Sequence, residues 1–107
     1  MKRQWEPEEL IEHFTLVESE RALLANKTGA SRLGFAVLLK CFSLEARFPA
    51  KKQEIPKSVV SYIATQVEVL PPQWRQYKWT GRTIEYHRGQ IRVFFGFREA
   101  TVADSTL

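Results

Sequence analysis

One segment constrains the fold more than any other: residues 31–48 are apolar on nearly every side of a helix. On a helical wheel they leave only a narrow polar strip, at Lys40 and Ser43. A helix that is apolar almost all round has to be buried, so we predict that this segment forms the central helix of the domain. Pro49 ends it, because proline cannot continue a helix.

Shorter helices are predicted before the central one. Pro7 suits the first position of a helix and opens an acidic one. Thr15 and Glu18 have the spacing of a capping box, in which two side chains satisfy free backbone N–H groups at a helix start. This pattern predicts a second helix over residues 16–27 that ends at Gly29.

More helices are predicted after Pro49. Residues 50–54 form a polar loop, and Pro56 opens a helix that the following Pro71 and Pro72 end. Residues 73–78 add one or two further turns. The apolar stripe of the helix that starts at Pro56 contains Val59, Val60, Ile63, Ala64 and Val67.

The last helix is predicted over residues 82–95, with Gly96 as its C-terminal cap. Residues 91–97 would also suit a strand by their β-branched and aromatic content. We prefer a helix, because strict alternation is absent and the apolar positions fit one helical face. Those positions are Ile84, Ile91 and Phe95.

The predicted elements define an all-α fold, a compact bundle of five or six helices with a helix-turn-helix-like C-terminal part. A chain of 107 residues makes one ordinary domain the default. We expect that domain over residues 1–98 and a tail over residues 99–107 that leads to a missing downstream region.

Cysteine and histidine content excludes several classes of protein. Cys41 is the only cysteine, so no disulfide can form within the chain, which fits a reducing, cytoplasmic location. Its separations from His13 and His87 match no compact metal motif. The longest purely apolar run, residues 36–39, is far shorter than the ~20 residues of a membrane span. We therefore predict no metal, no cofactor and no membrane association.

No set of side chains supports catalysis. Cys41 lies inside the most apolar segment, where thiols are usually inert. Glu8, Glu9 and Glu12 follow one another on a helix start, where the helix dipole favours acidic side chains, and they need not face a shared cleft. The five glycines form no phosphate-binding loop. We predict that the chain is not an enzyme and takes no small-molecule substrate.

Charge is unevenly distributed along the chain. Residues 1–26 hold three basic and six acidic groups, a net of −3, and the rest of the chain holds 13 basic and 6 acidic groups, a net of +7. Such a basic body suits contact with DNA phosphates, and an arginine-bearing helix can enter a major groove, although a solvated protein surface can have the same composition. The densest cations are Arg75, Lys78, Arg82, Arg88, Arg92 and Arg98.

Other residues of this basic region are interpreted as structural. His87 is flanked by core positions, which indicates a buried, hydrogen-bonded histidine. The tryptophans are more often core anchors than platforms for base stacking.

Several motifs, in order, resemble the N-terminal region of the large replicative transposases of the bacterial Tn-three family. Residues 31–39, SRLGFAVLL, resemble that family's RLGFAVQL helix, and residues 13–24 resemble the stretch before it. Residues 47–49, RFP, resemble its R-[YF]-P element. The other matches are Pro56, Val59, Tyr62, Ile63, Ala64, Gln66 and Val67, then Trp74 and Tyr77, then Arg82, Thr83, His87, Ile91, Gly96, Phe97 and Arg98.

The resemblance implies a DNA-binding domain that supports DNA transposition. In those transposases the N-terminal helical region recognises the terminal inverted repeats, and an RNase H-like domain far downstream holds the catalytic acids and metal ions. The chain is therefore expected to bind double-stranded DNA without cutting it, with the rest of a transposase as a second partner. Matched polar positions make Arg32, Arg82, His87 and Arg98 candidate DNA contacts, and charge alone adds Arg75, Lys78, Arg88 and Arg92.

An alternative function stays open at this point. The chain could be a protein-interaction module that binds other parts of the transposase or a second copy of itself. Its acidic first helix would then face a basic partner surface, and DNA would bind weakly and without sequence preference.

Overall fold

The computed structural model describes the backbone of residues 2–106 and the side chains of residues 2–96. Over that backbone the chain is helical with no strand, which confirms the predicted all-α class and excludes a strand at residues 91–97. The predicted tail, residues 99–107, lies outside the described side chains. The α-helices are α1 (Pro7–Phe14), α2 (Glu18–Ala22), α3 (Gly29–Glu45), α4 (Lys57–Val67) and α5 (Arg82–Thr106), and the 3₁₀ helices are η1 (Lys52–Glu54) and η2 (Pro71–Gln76).

Helix α3 is the centre of the domain, as its apolar sequence predicts. It packs against α1, α4, η2 and α5, and every residue from Leu33 to Cys41 is buried. The helix begins at Gly29, earlier than predicted, and it ends at Glu45 because Ala46 adopts a left-handed conformation with φ 59°. Pro49 therefore follows the end of the helix and does not cause it.

The polar strip predicted on α3 is correct at Ser43 and wrong at Lys40. Ser43 is exposed, whereas Lys40 is 6% exposed. The Lys40 ammonium donates to both carboxylate oxygens of Glu20, at 3.0 and 3.3 Å, and Glu20 is itself 4% exposed. This buried ion pair joins α2 to α3.

The capping box predicted for Thr15 and Glu18 is wrong. The Thr15 hydroxyl donates to the Ile11 carbonyl at 2.6 Å and lies 2.7 Å from the Tyr62 hydroxyl, so it ends α1 and links it to α4. At the start of α2 it is the buried Glu20 carboxylate that accepts from the Val17 N–H, at 2.9 Å. Helix α2 ends at Ala22 and turns follow it over residues 23–26, so the predicted helix over residues 16–27 is wrong in both its bounds.

The C-terminal half follows the predicted order with shifted boundaries. Helix α4 starts after Pro56 and buries its predicted apolar stripe, but it ends at Val67, where Glu68 has φ 60°. The prolines at 71 and 72 open η2 instead of ending α4. Helix α5 continues past residue 95, so Gly96 lies inside the helix and the predicted cap there is wrong.

The helix-turn-helix likeness of this half stays a prediction. Residues 68–81, which include η2, separate α4 from α5, and η2 packs against both α3 and α4. Among the described residues no helix is long and apolar enough to cross a membrane.

Candidate nucleic-acid interface

Helix α5 has one buried face and one exposed face. Ile84, His87 and Ile91 are buried against the rest of the domain, while Arg82 and Arg92 are exposed. This division matches the helical wheel, because residues three, four and seven apart lie on one side of a helix. The exposed cations of α5 can therefore meet a partner without any change in the core.

The structure separates the eight predicted contact residues into distinct groups. Arg75, Lys78, Arg82 and Arg92 are exposed, and Arg32 and Arg88 are partly buried. His87 is in the core at 3% exposure. Arg98 lies outside the described side chains.

His87 is a structural residue, as its flanking core positions predict. Its selection as a candidate for direct DNA contact is therefore corrected, because the side chain is buried. Its Nδ1 atom lies 2.7 Å from the Tyr77 hydroxyl, and the two rings stack with an interplanar angle of 5°. Phe35 meets the His87 ring edge-on, with centroids 5.1 Å apart. A ring with so little exposed surface cannot reach DNA without a change in the packing around it.

Stability is expected to fall as the pH drops through the titration range of His87. Burial, with a further contribution from Lys27, lowers the pKa of His87 from 6.5 to about 4. Between pH 6.5 and about 4 the unfolded chain therefore binds a proton at His87 that the folded chain does not. The free energy of unfolding is highest above pH 6.5 and falls as the pH drops. The loss is complete below pH 4, where it amounts to roughly 3 kcal/mol. Urea unfolding at pH 7, 5.5 and 4.5 measures this loss.

The matched variant for this test is His87→Gln, which keeps a hydrogen-bonding side chain but does not titrate. Its unfolding free energy should change less than that of the unsubstituted chain between pH 7 and 4.5. Parallel pH profiles for the two proteins would show that His87 does not cause the acid sensitivity.

Two arginines of α5 border a cleft that the loop after α3 completes. The cleft is wide open to solvent, has a volume of about 520 Å³, and is lined by Phe42, Arg47, Phe48, Pro49, Ala50, Arg88 and Arg92. The guanidinium carbons of Arg88 and Arg92 lie 5.8 and 5.3 Å from the centre of the Phe48 ring. We call the side chains of Arg47, Phe48, Arg88 and Arg92 the arginine cleft.

Sequence reasoning missed Arg47 as a site residue. It stands far along the chain from the basic region at residues 75–98, so charge density gave no reason to select it. The sequence signal that could have identified Arg47 was the RFP motif, because all three of its residues, Arg47, Phe48 and Pro49, line the cleft. Only the packing of the α3 loop beside α5 brings Arg47 to the same cleft as Arg88 and Arg92.

A second cleft lies where α3 and α5 begin. It encloses about 470 Å³, and its lining includes Ser31, Lys78, Arg82 and Thr83. The free N–H groups of a helix start and two nearby cations both favour negative charge. Lys78 and Arg82 are thus placed together, as the charge pattern suggested.

A third cation-rich cleft lies beside η2. It encloses about 560 Å³ and contains Arg3, Lys52, Lys57, Trp74 and Arg75. The Lys52 ammonium lies 4.9 Å from the centre of the Trp74 ring and donates to the Tyr77 carbonyl at 2.7 Å. Burial lowers the pKa of Lys52. Lys52 therefore holds η2 in place, and Arg75 is the exposed predicted cation of this cleft.

The aromatic residues near α5 act as anchors, which fits their interpretation from sequence. Tyr77 is 3% exposed, and Trp74 and Trp79 are partly buried against the core. Trp74 and Tyr77 stack with centroids 6.0 Å apart, and the Trp79 indole N–H donates to the Ala50 carbonyl at 3.3 Å. Through these contacts η2 and the loop at residues 47–50 both pack beside the segment that leads into α5.

Cys41 and the acidic residues of α1 are placed as the sequence indicates. Cys41 is fully buried, and burial raises its pKa to about 12, so the thiol stays protonated at neutral pH. Glu8 and Glu12 are exposed on α1. Among the described residues no three His, Cys, Asp or Glu side chains come together in a way that could hold a metal ion.

The fold and these clefts define a small all-α domain with a cation-bearing C-terminal helix. The chain belongs to the family described as a domain of unknown function, DUF4158, which matches it over residues 1–107. No solved structure matches the chain.

Curated relatives of the chain are transposases. The chain is 30% identical over 88 residues to the transposase for transposon Tn501 from Pseudomonas aeruginosa. The matched stretch covers 81% of this chain and 9% of that protein. It is 27% identical over 97 residues to the transposase for transposon Tn3926 from Escherichia coli, covering 90% of this chain and 10% of that protein. The predicted resemblance to these transposases is confirmed, and the chain spans about a tenth of their length.

Proposed function

We propose that this domain is the N-terminal part of a transposase and binds the terminal inverted repeats of its transposon as double-stranded DNA. The observation that carries the proposal is the exposed side of α5, where Arg82 and Arg92 project away from the core and cation-lined clefts lie on either side. A helix of this kind fits a major groove, with arginines able to reach guanine edges. The domain contributes binding and no catalytic group to transposition.

The proposed contacts follow from exposure. Arg82 is the candidate for contact with base edges, and Arg92, Lys78, Arg75 and the partly buried Arg88 are candidates for the DNA backbone. Arg32 and Arg98 stay in the proposed set from their matched positions, and among the described residues the Arg32 Nε atom is buried with no hydrogen-bond partner. His87 supports α5 from inside and is not a contact.

We expect Arg82→Gln and Arg92→Gln each to weaken binding to the inverted repeat about tenfold, because each removes a charged donor from the proposed interface. Fluorescence anisotropy with a labelled inverted repeat and a scrambled duplex, at two salt concentrations, measures the change. The unsubstituted chain should keep its preference for the repeat at the higher salt, since phosphate contacts alone weaken steeply with salt.

Arg21→Gln is the matched control, because it removes the same charge from α2, where Arg21 donates to the Gln66 carbonyl of α4 at 3.3 Å. It should leave DNA affinity within about twofold of the unsubstituted chain if the interface lies on α5. Circular dichroism establishes that each variant is folded. Unchanged affinity in both α5 variants would remove this helix from the interface.

A second candidate function is docking on another part of the transposase. The observation that favours it is the outward face of α5, where Tyr86 and Val93 are 66% and 70% exposed. Gly89 has open space around its Cβ position on the same helix. Under this alternative a Tyr86→Ser, Val93→Ser double variant loses association with the remainder of the transposase while its DNA binding, measured by anisotropy, is unchanged.

A further inference from the structure

We infer that the arginine cleft is a phosphate-binding site, in which Arg47, Arg88 and Arg92 surround one phosphate group. This inference rests on the proposed function for the source of the phosphate, which is the DNA backbone. The site adds Arg47, a residue on a loop, to a contact surface otherwise formed by α5. Three guanidinium groups give many N–H donors in planar arrays, the arrangement that suits phosphate oxygens.

The cleft is held together by contacts that do not need a ligand. Phe48 lies within 6 Å of two guanidinium groups, and Arg88 also lies 5.9 Å from the Trp79 ring. Trp79 in turn bonds the Ala50 carbonyl, which attaches the loop of Arg47 and Phe48 beside α5. Aromatic contacts restrict the arginines before binding, so less side-chain entropy is lost when a phosphate is bound.

Donors remain unused in the cleft. Among the described residues the Arg88 Nε atom is buried without a hydrogen-bond partner, although buried donors are nearly always satisfied. No carboxylate of residues 2–96 forms an ion pair with Arg92. An oxyanion in the cleft would supply acceptors for these groups.

Two carboxylates border the site and oppose anion binding. Glu85 accepts from Arg88 Nη1 at 2.9 Å, and a Glu45 oxygen lies 3.8 Å from Arg47 Nη2. The Glu85 side chain is 69% exposed, so it competes for Arg88 without forming part of the core. Among the described residues, three cations against two carboxylates give the cleft a net positive charge, and replacing Glu85 with a neutral residue should increase that charge.

Nuclear magnetic resonance titration of the 107-residue chain with inorganic pyrophosphate tests the site. Sodium chloride is adjusted at each step so that the ionic strength stays constant. The Nε–Hε signal of each arginine reports binding at that side chain. We expect saturable shifts of the Arg47, Arg88 and Arg92 signals, about tenfold weaker binding in Arg47→Gln and Arg92→Gln, and tighter binding in Glu85→Gln. Arg21→Gln is the charge-matched control and should bind as the unsubstituted chain does.

Shifts spread evenly over all exposed cations, or equal pyrophosphate affinity in Arg47→Gln and in the control, would overturn the site. So would weaker binding in Glu85→Gln, because that carboxylate would then be supporting the arginines.

DNA binding by Arg47→Gln separates this inference from the proposed function. A phosphate contact carries no sequence information, so the variant should bind the inverted repeat and the scrambled duplex more weakly by the same factor. If the unsubstituted chain prefers the repeat and Arg47→Gln binds both duplexes normally, the phosphate site is wrong and the proposed function stands. If pyrophosphate binds as expected and the chain shows no preference for the repeat, the proposed function is wrong and the site stands.

Discussion

Replacing Lys40 with methionine is expected to lower the free energy of unfolding by about 3–5 kcal/mol, the usual cost of removing one partner from a buried ion pair. The substitution leaves the Glu20 carboxylate in the core, 4% exposed, and among the described residues the Val17 N–H is its remaining hydrogen-bond donor. A loss of this size is a large part of the stability of a small domain. Urea unfolding followed by tryptophan fluorescence measures it.

Two further variants show whether the charge of Glu20 is responsible. Adding Glu20→Gln to Lys40→Met should recover part of the loss, since glutamine is neutral and keeps an oxygen for the Val17 N–H. Lys2→Ala removes an exposed ion pair with Glu9 and should cost less than about 1 kcal/mol. If Lys40→Met costs no more than Lys2→Ala, the buried pair does not stabilise the attachment of α2 to α3.

Gly34→Ala is expected to destabilise the domain by about 3 kcal/mol, at the upper end for one added methyl group. An alanine Cβ at this position would lie 2.2 Å from two ring carbons of Tyr77, far inside van der Waals contact. The Tyr77 ring cannot move away freely, because it stacks on His87 and its hydroxyl bonds the same residue. Thermal or urea unfolding by circular dichroism gives the loss.

Gly89→Ala is the control, because it adds the same methyl group to a glycine of α5 whose Cβ position has no atom of the described residues within 4 Å outside its own helix backbone. Alanine is favoured over glycine inside a helix, so this variant should be more stable by about 0.5–1 kcal/mol. The two substitutions are therefore expected to have opposite signs. Equal effects would mean that Tyr77 does not restrict position 34.

The contact between Gly34 and Tyr77 shows how the exposed face of α5 depends on packing in the core. Gly34 lets the Tyr77 ring approach α3, and Tyr77 holds His87 on the inner face of α5. The exposure of Arg82 and Arg92 to solvent follows from this packing.

Much of the architecture could be predicted because it depends on local rules. The apolar segment of α3, the stripe of α4 and the buried face of α5 follow from helical periodicity alone. Two of the wrong predictions concern the ends of helices. Threonine and glycine are residue types that often cap helices, so Thr15 and Gly96 were both predicted to do so. The Thr15 hydroxyl instead bonds to Ile11 and Tyr62. Gly96 lies inside α5, because that helix continues past it.

The all-α class, the central helix and the basic character of the C-terminal half could be predicted from the sequence, since each depends on the order of apolar and charged residues along the chain. Tertiary packing alone pairs the buried Lys40 with Glu20, places the Phe35 ring against His87, and brings Arg47 to the cleft of Arg88 and Arg92. Each of these joins residues that are distant in the chain. Which distant side chains meet is set by how the helices pack, and periodicity within one helix carries no information about that packing.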